Sequence, residues 1–150
     1  MPHTGCTSAR DLVVACMDLR TQKILKQLIS SLGLEDGTYD LVTVPGGAGN
    51  LHQCKICGRI SKHLHETREI ILVVHEDCGA GAKKEDLFRA AKVARSLKMR
   101  YRTFYMFRQE DSWAWEEIFF QESSFLPLWK IWLRNFLGFL RPIPEFSERR

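Results

Sequence analysis

Two short runs in this 150-residue chain, Leu12 to Cys16 (LVVAC) and Glu69 to Val74 (EIILVV), are apolar almost without interruption. A strand with one wet face alternates apolar and polar residues. A run without alternation is covered on both faces, as in a parallel sheet. The intervening segments supply the cover. Thr21 to Leu32 places Ile24, Leu25, Leu28, Ile29 and Leu32 at helical spacing, and Gly33 stops it. Tyr39 to Val44 reads as a second strand, followed by the glycine-rich PGGAGN of Pro45 to Asn50 and a helix reaching about Glu66. Lys83 to Lys98 carries Leu87, Ala90, Ala91, Ala94 and Leu97 on one helical face, and Arg100 to Phe107 reads as a fourth strand. Strands and helices that alternate in this way predict an α/β fold: an open, mostly parallel sheet of about four to five strands, flanked by helices and joined by right-handed crossovers. In such sheets a site forms at the carboxyl ends of the strands.

Chemistry-bearing residues stand at two such ends. Cys16 closes the first strand and is followed at alternate positions by Asp18 and Arg20. The third strand runs into His75 and Cys78, with Gly79 and Gly81 behind them. Charges are rarely buried unless they are paired or bound to a metal. Two thiols and an imidazole form a Cys2His set that suits one Zn2+ per chain, with the fourth tetrahedral position open, as in catalytic sites. The plainer alternative is that Cys16 and Cys78 are small buried hydrophobes. That alternative leaves Asp18, Arg20 and the His–Cys pair without a purpose.

The two motifs together resemble those of the β-class carbonic anhydrases: C-x-D-x-R at Cys16, Asp18 and Arg20, and H-x-x-C at His75 and Cys78. The resemblance extends over about Leu12 to Leu97. It implies that Cys16, His75 and Cys78 are zinc ligands and that the activity is reversible hydration of carbon dioxide to bicarbonate by zinc-bound hydroxide. It also implies that Asp18 is a gate, either paired with Arg20 or swung onto the zinc, and that Arg20 is its latch. A homodimer or higher homo-oligomer is implied as well. The chain departs from the family pattern in three places. Only fifteen residues precede Cys16, without the N-terminal helices that wrap the partner subunit in many members. Val74 stands where the family usually has a glycine, and PGGAGN replaces an R-N-A-G-like loop and drops its arginine. Two further readings follow: hydrolysis of a carbon dioxide analogue such as carbonyl sulfide or carbon disulfide, or a non-catalytic zinc protein that binds a partner or membrane through its tail.

The remaining features add less. Gly46, Gly47, Ala48 and Gly49 lack the P-loop lysine and the dinucleotide fingerprint. They read as a loop whose backbone approaches the zinc site and whose N–H groups can orient a small anion. Cys54 and Cys57 form a C-x-x-C pair, half of a second metal or redox site, on a segment expected to be helical. Phe125 to Leu140 is almost wholly apolar, with Lys130 and Arg134 on one side. This hydrophobic C-terminal helix is too short to span a bilayer, and a dimer contact is the expectation ahead of a membrane surface. Trp113 and Trp115, at alternate positions, suggest a short edge strand. The net charge of +4 is spread without a stripe, so nucleic acid is not an expected partner. The polar opening MPHTGCTSAR has no apolar core of a signal peptide, and the five cysteines read as thiols, so a cytoplasmic location is expected. A single domain spanning 1–150 is expected, with a flexible stretch over about 1–10 and an extension over about 121–150.

Overall fold

The computed structural model describes residues 9–121; the hydrophobic C-terminal segment predicted from Phe125 to Leu140 lies outside them. The chain divides into two units, Met1–Phe119 and Phe120–Arg150, and every element below belongs to the first. They run β1 (Asp11–Cys16), a 3-10 turn (Leu19–Thr21), α1 (Gln22–Ser31), β2 (Tyr39–Val44), a second 3-10 turn (Gly47–Gly49) and α2 (Leu51–His65). Then follow β3 (Glu69–His75), α3 (Asp86–Ser96), β4 (Arg100–Gln109) and β5 (Ser112–Glu117).

The five strands form one sheet in the order β2-β1-β3-β4-β5. The first four are parallel, and β5 turns back antiparallel to β4. This is the predicted open, mostly parallel α/β sheet flanked by helices, with Trp113 and Trp115 on its edge strand. All six residues of β1 are buried, and so are all of β3 after Glu69. Side chains alternate across the sheet. Val13, Ala15, Ile71, Val73, Phe104 and Met106 pack on one face against Ile24, Leu25, Leu28 and Ile29 of α1. On the other face lie α2 and α3, where Gly58 leaves room for Leu97 and Ile70.

Local chemistry explains where elements begin. The Asp18 side chain accepts from Arg20 N–H and caps the 3-10 turn, so regular helix starts at Gln22. The Asp86 carboxylate accepts from Lys83 N–H at 2.9 Å and closes a turn, which delays α3 by three residues from the predicted Lys83. Among the described residues no helix is long and apolar enough to cross a membrane.

From β1 the chain moves outward to β2 in one direction, then returns to β3 on the other side of β1. The boundary between β1 and β3 is therefore the topological switch point, where diverging connections leave a crevice at the carboxyl ends. Cys16 and His75 are the last residues of these two strands.

Candidate metal centre

His75 is 2% exposed, and its ring is fixed from one side. Nδ1 lies 2.7 Å from the Glu76 carbonyl oxygen, which can only accept, so Nδ1 carries the proton. In the neutral imidazole Nε2 is then left with its lone pair. It is the one buried side-chain nitrogen or oxygen among the described residues that lacks a hydrogen-bond partner. Orphaned buried polar atoms are costly and rare. A carbonyl behind Nδ1 and a bare Nε2 in front is the arrangement of a metal-ligating histidine.

The sulfurs complete the set. Cys16 Sγ and Cys78 Sγ are 3.8 Å apart, and the two sulfurs and the His75 donor all lie within 4.8 Å of one another. Two zinc–sulfur bonds of about 2.3 Å at the tetrahedral angle separate their sulfurs by about 3.8 Å. The donor set and its spacing therefore fit zinc. Cys78 reaches the site because Asp77 adopts a left-handed conformation, φ 50°, and Gly81 N–H bonds the Cys78 carbonyl at 2.8 Å. Burial pushes the Cys16 thiol up, while backbone N–H groups of Asp18 and Gly46 directed at its sulfur oppose that rise.

Asp18 is held beside the three donors. Arg20 Nε approaches its two oxygens at 3.0 and 3.1 Å, and Arg20 Nη2 reaches Oδ2 at 2.6 Å. These bonds hold the carboxyl down at about 2. Asp18 Oδ2 nevertheless lies 3.8 Å from His75 Nε2. Arg20 Nη2 also donates to the Asp77 carbonyl at 3.0 Å, tying the end of β1 to the loop that carries Cys78.

The glycine loop abuts this centre through its backbone. A Cβ on Gly47 would lie 2.6 Å from both Cys16 N and Val73 O, and its φ is +53°. Both facts require glycine there. Gly46, Ala48 and Gly49 continue the turn, and Ala48 is fully buried. Cys54 lies beneath it: its Sγ donates to the Ala48 carbonyl at 3.4 Å, it is wholly buried, and burial pushes its thiol up to about 12. Cys57, one turn on, is half-buried and contacts Gln53. The metal-capable group contains neither of them.

Trp113 is a contributor that sequence reasoning did not assign to the site. Its indole meets the His75 ring edge-to-face, with centroids 6.1 Å apart, and Arg108 lies over its ring. The alternation of Trp113 and Trp115 signalled an edge strand. Which neighbour that strand takes is decided by the chain reversal after β4.

No family model matches the chain. An uncharacterized protein of Rickettsia bellii (strain RML369-C) is 32% identical over 84 residues, which are 50% of this chain and 51% of that protein. The chain thus spans about half the length of the curated relative it matches. Among solved structures, a carbonic anhydrase of Streptococcus mutans superposes with a TM-score of 0.55 at 16% identity, over 75% of this chain and 83% of that one. The β-carbonic anhydrase isoform I of Trichomonas vaginalis gives 0.52 at 13% identity, over 75% and 84%. A carbon disulfide hydrolase in its apo form gives 0.50 at 16% identity, over 81% and 85%. The fold is that of the β-carbonic anhydrases.

Proposed function

We propose that the chain is a zinc-dependent lyase of the carbonic anhydrase type, which hydrates carbon dioxide reversibly to bicarbonate. The observation that carries this reading is the bare, buried Nε2 of His75 beside two thiols, next to a carboxylate held away by its own arginine. A purely structural zinc site would use four protein donors and would give no purpose to the arginine that pairs with Asp18 instead of leaving it as the fourth. Cys16, Cys78 and His75 Nε2 would hold the ion. Bound there, zinc lowers the pKa of a coordinated water towards about 7 and so supplies a nucleophile at neutral pH.

The protein's own groups then have distinct tasks. Arg20 keeps Asp18 ionised and paired, which would hold it off a bound metal and preserve an open fourth position. Asp18 in that pose can accept a hydrogen bond from a nucleophile beside His75 and orient it. Glu76 fixes the imidazole tautomer through its carbonyl, and the N–H groups of Asp18 and Gly46 temper the Cys16 sulfur. The fold shared with a carbon disulfide hydrolase supports a sulfur analogue of carbon dioxide as the second reading.

Stopped-flow carbon dioxide hydration on zinc-loaded protein at mildly alkaline pH tests the proposal. Zinc-dependent turnover that disappears in Cys16→Ser is the expected result. Full zinc occupancy without hydration, but with sulfide release from carbon disulfide, would shift the assignment to the second reading; no turnover of either compound would refute catalysis here.

A further inference from the structure

At the opposite end of the sheet, Arg10, Arg68 and Arg100 stand at the starts of β1, β3 and β4, three consecutive strands. Their backbones are joined directly: Arg68 N–H donates to the Arg10 carbonyl at 3.2 Å and Arg100 N–H to the Arg68 carbonyl at 3.0 Å. Neighbouring strands lie about 4.8 Å apart, so the row spans about 10 Å. All three residues are exposed. Arg10 has one acidic contact, to Asp11 at 3.8 Å, longer than a hydrogen bond. Among the described residues, the side chains of Arg68 and Arg100 form no ion pair within 4.0 Å.

Two adjoining clefts open onto this row. One, of about 430 Å³, is lined by Ala9, Arg10, Glu66, Arg68 and Arg100. The other, of about 470 Å³, adds Lys62, Thr67 and Lys98 and shares Glu66, Arg68 and Arg100. The cleft linings carry five cationic side chains and one carboxylate, Glu66, and two further carboxylates stand beside them: Asp11 next to Arg10, and Glu69, the cross-strand partner of Arg100. Helices α2 and α3 also end at this side of the sheet, and their partial negative charge explains why some cations gather there. Lys62 already answers that demand, donating to the Leu97 carbonyl at the end of α3 at 2.5 Å. With five cations against three carboxylates, the clefts keep a positive balance beyond that demand.

We propose that this row is a binding site for a small phosphate-bearing anion, separate from the metal centre and independent of the proposed reaction. Planar guanidinium forks match phosphate oxygens two at a time, and a cleft of this size admits a small ligand. The strand starts hold the forks on rigid backbone.

An NMR titration of the full chain with inorganic phosphate tests the assignment. Saturable shifts at Arg10, Arg68 and Arg100 are expected, with affinity reduced about tenfold or more in an Arg68→Gln, Arg100→Gln double variant. These exposed substitutions leave the rest of the spectrum as a control for folding. The proposal is overturned by the absence of saturable shifts, by shifts confined to the surroundings of His75 and Cys78, or by unchanged affinity in a folded double variant.

Discussion

In the proposed reaction, Asp18 and Arg20 would decide whether the fourth position at the metal centre stays open. Four contacts join the two residues, one from the Arg20 backbone and three from its guanidinium. The carboxylate lies 3.8 Å from the bare nitrogen of His75, so the distance to a metal held there is short. Arg20→Ala removes the guanidinium contacts and leaves the backbone cap. The expected outcome is that zinc stays bound at full stoichiometry while turnover falls by at least about a hundredfold, as befits a carboxylate that takes the open position. Metal analysis together with the hydration assay checks it; an Arg20→Ala enzyme at full activity would show that Asp18 is not a gate. A lysine at this position keeps the charge but not the planar fork, and would restore only part of the activity.

The elements place these residues, and the Gly46–Gly49 turn does so most tightly. Gly47→Ala sets a methyl 2.6 Å from Cys16 N and Val73 O at a left-handed φ, against backbone that cannot yield. A loss of about 2–4 kcal/mol in chemical denaturation is expected, with weaker zinc binding. Gly58→Ala meets the tip of the Leu97 side chain at 2.7 Å, which can rotate away, and should cost about 1 kcal/mol or less. Equal losses in the two variants would contradict this account of the turn. Much of this was legible beforehand. The unbroken runs of β1 and β3, the glycine turn and the order of strands and helices follow from patterns a few residues long. So do the ends of β1 and β3, where Cys16 and His75 sit. Trp113 against His75 was not legible, because β5 pairs antiparallel to β4 through a chain reversal, and periodicity does not show which ring an edge strand will cover. The burial of Cys54 under Ala48 was hidden for a similar reason: a C-x-x-C on a helix reads the same whether it faces solvent or a loop.

In the whole described unit, the main core cluster and the three donors are distinct sets that meet at Trp113, which packs against the cluster and against His75. The cluster of α1 against the sheet contains none of Cys16, His75 or Cys78, and the three meet where β1 and β3 diverge. Removal of zinc by a chelator is therefore expected to lower the melting temperature, since a ligand bound only to the folded state stabilises it, while far-UV circular dichroism stays native at 25 °C. Unfolding on chelation would mean that the metal, and not the sheet, holds the fold. At the centre of the proposal, Cys16, His75 and Cys78 bind one zinc. X-ray absorption at the zinc edge of the loaded chain tests it most directly. One zinc per chain is expected, with two sulfurs at about 2.3 Å and the remaining ligands nitrogen or oxygen at about 2.0–2.2 Å. Three or four sulfurs, which would require cysteines outside the Cys16, His75, Cys78 set, or a chain that retains no zinc, would contradict it.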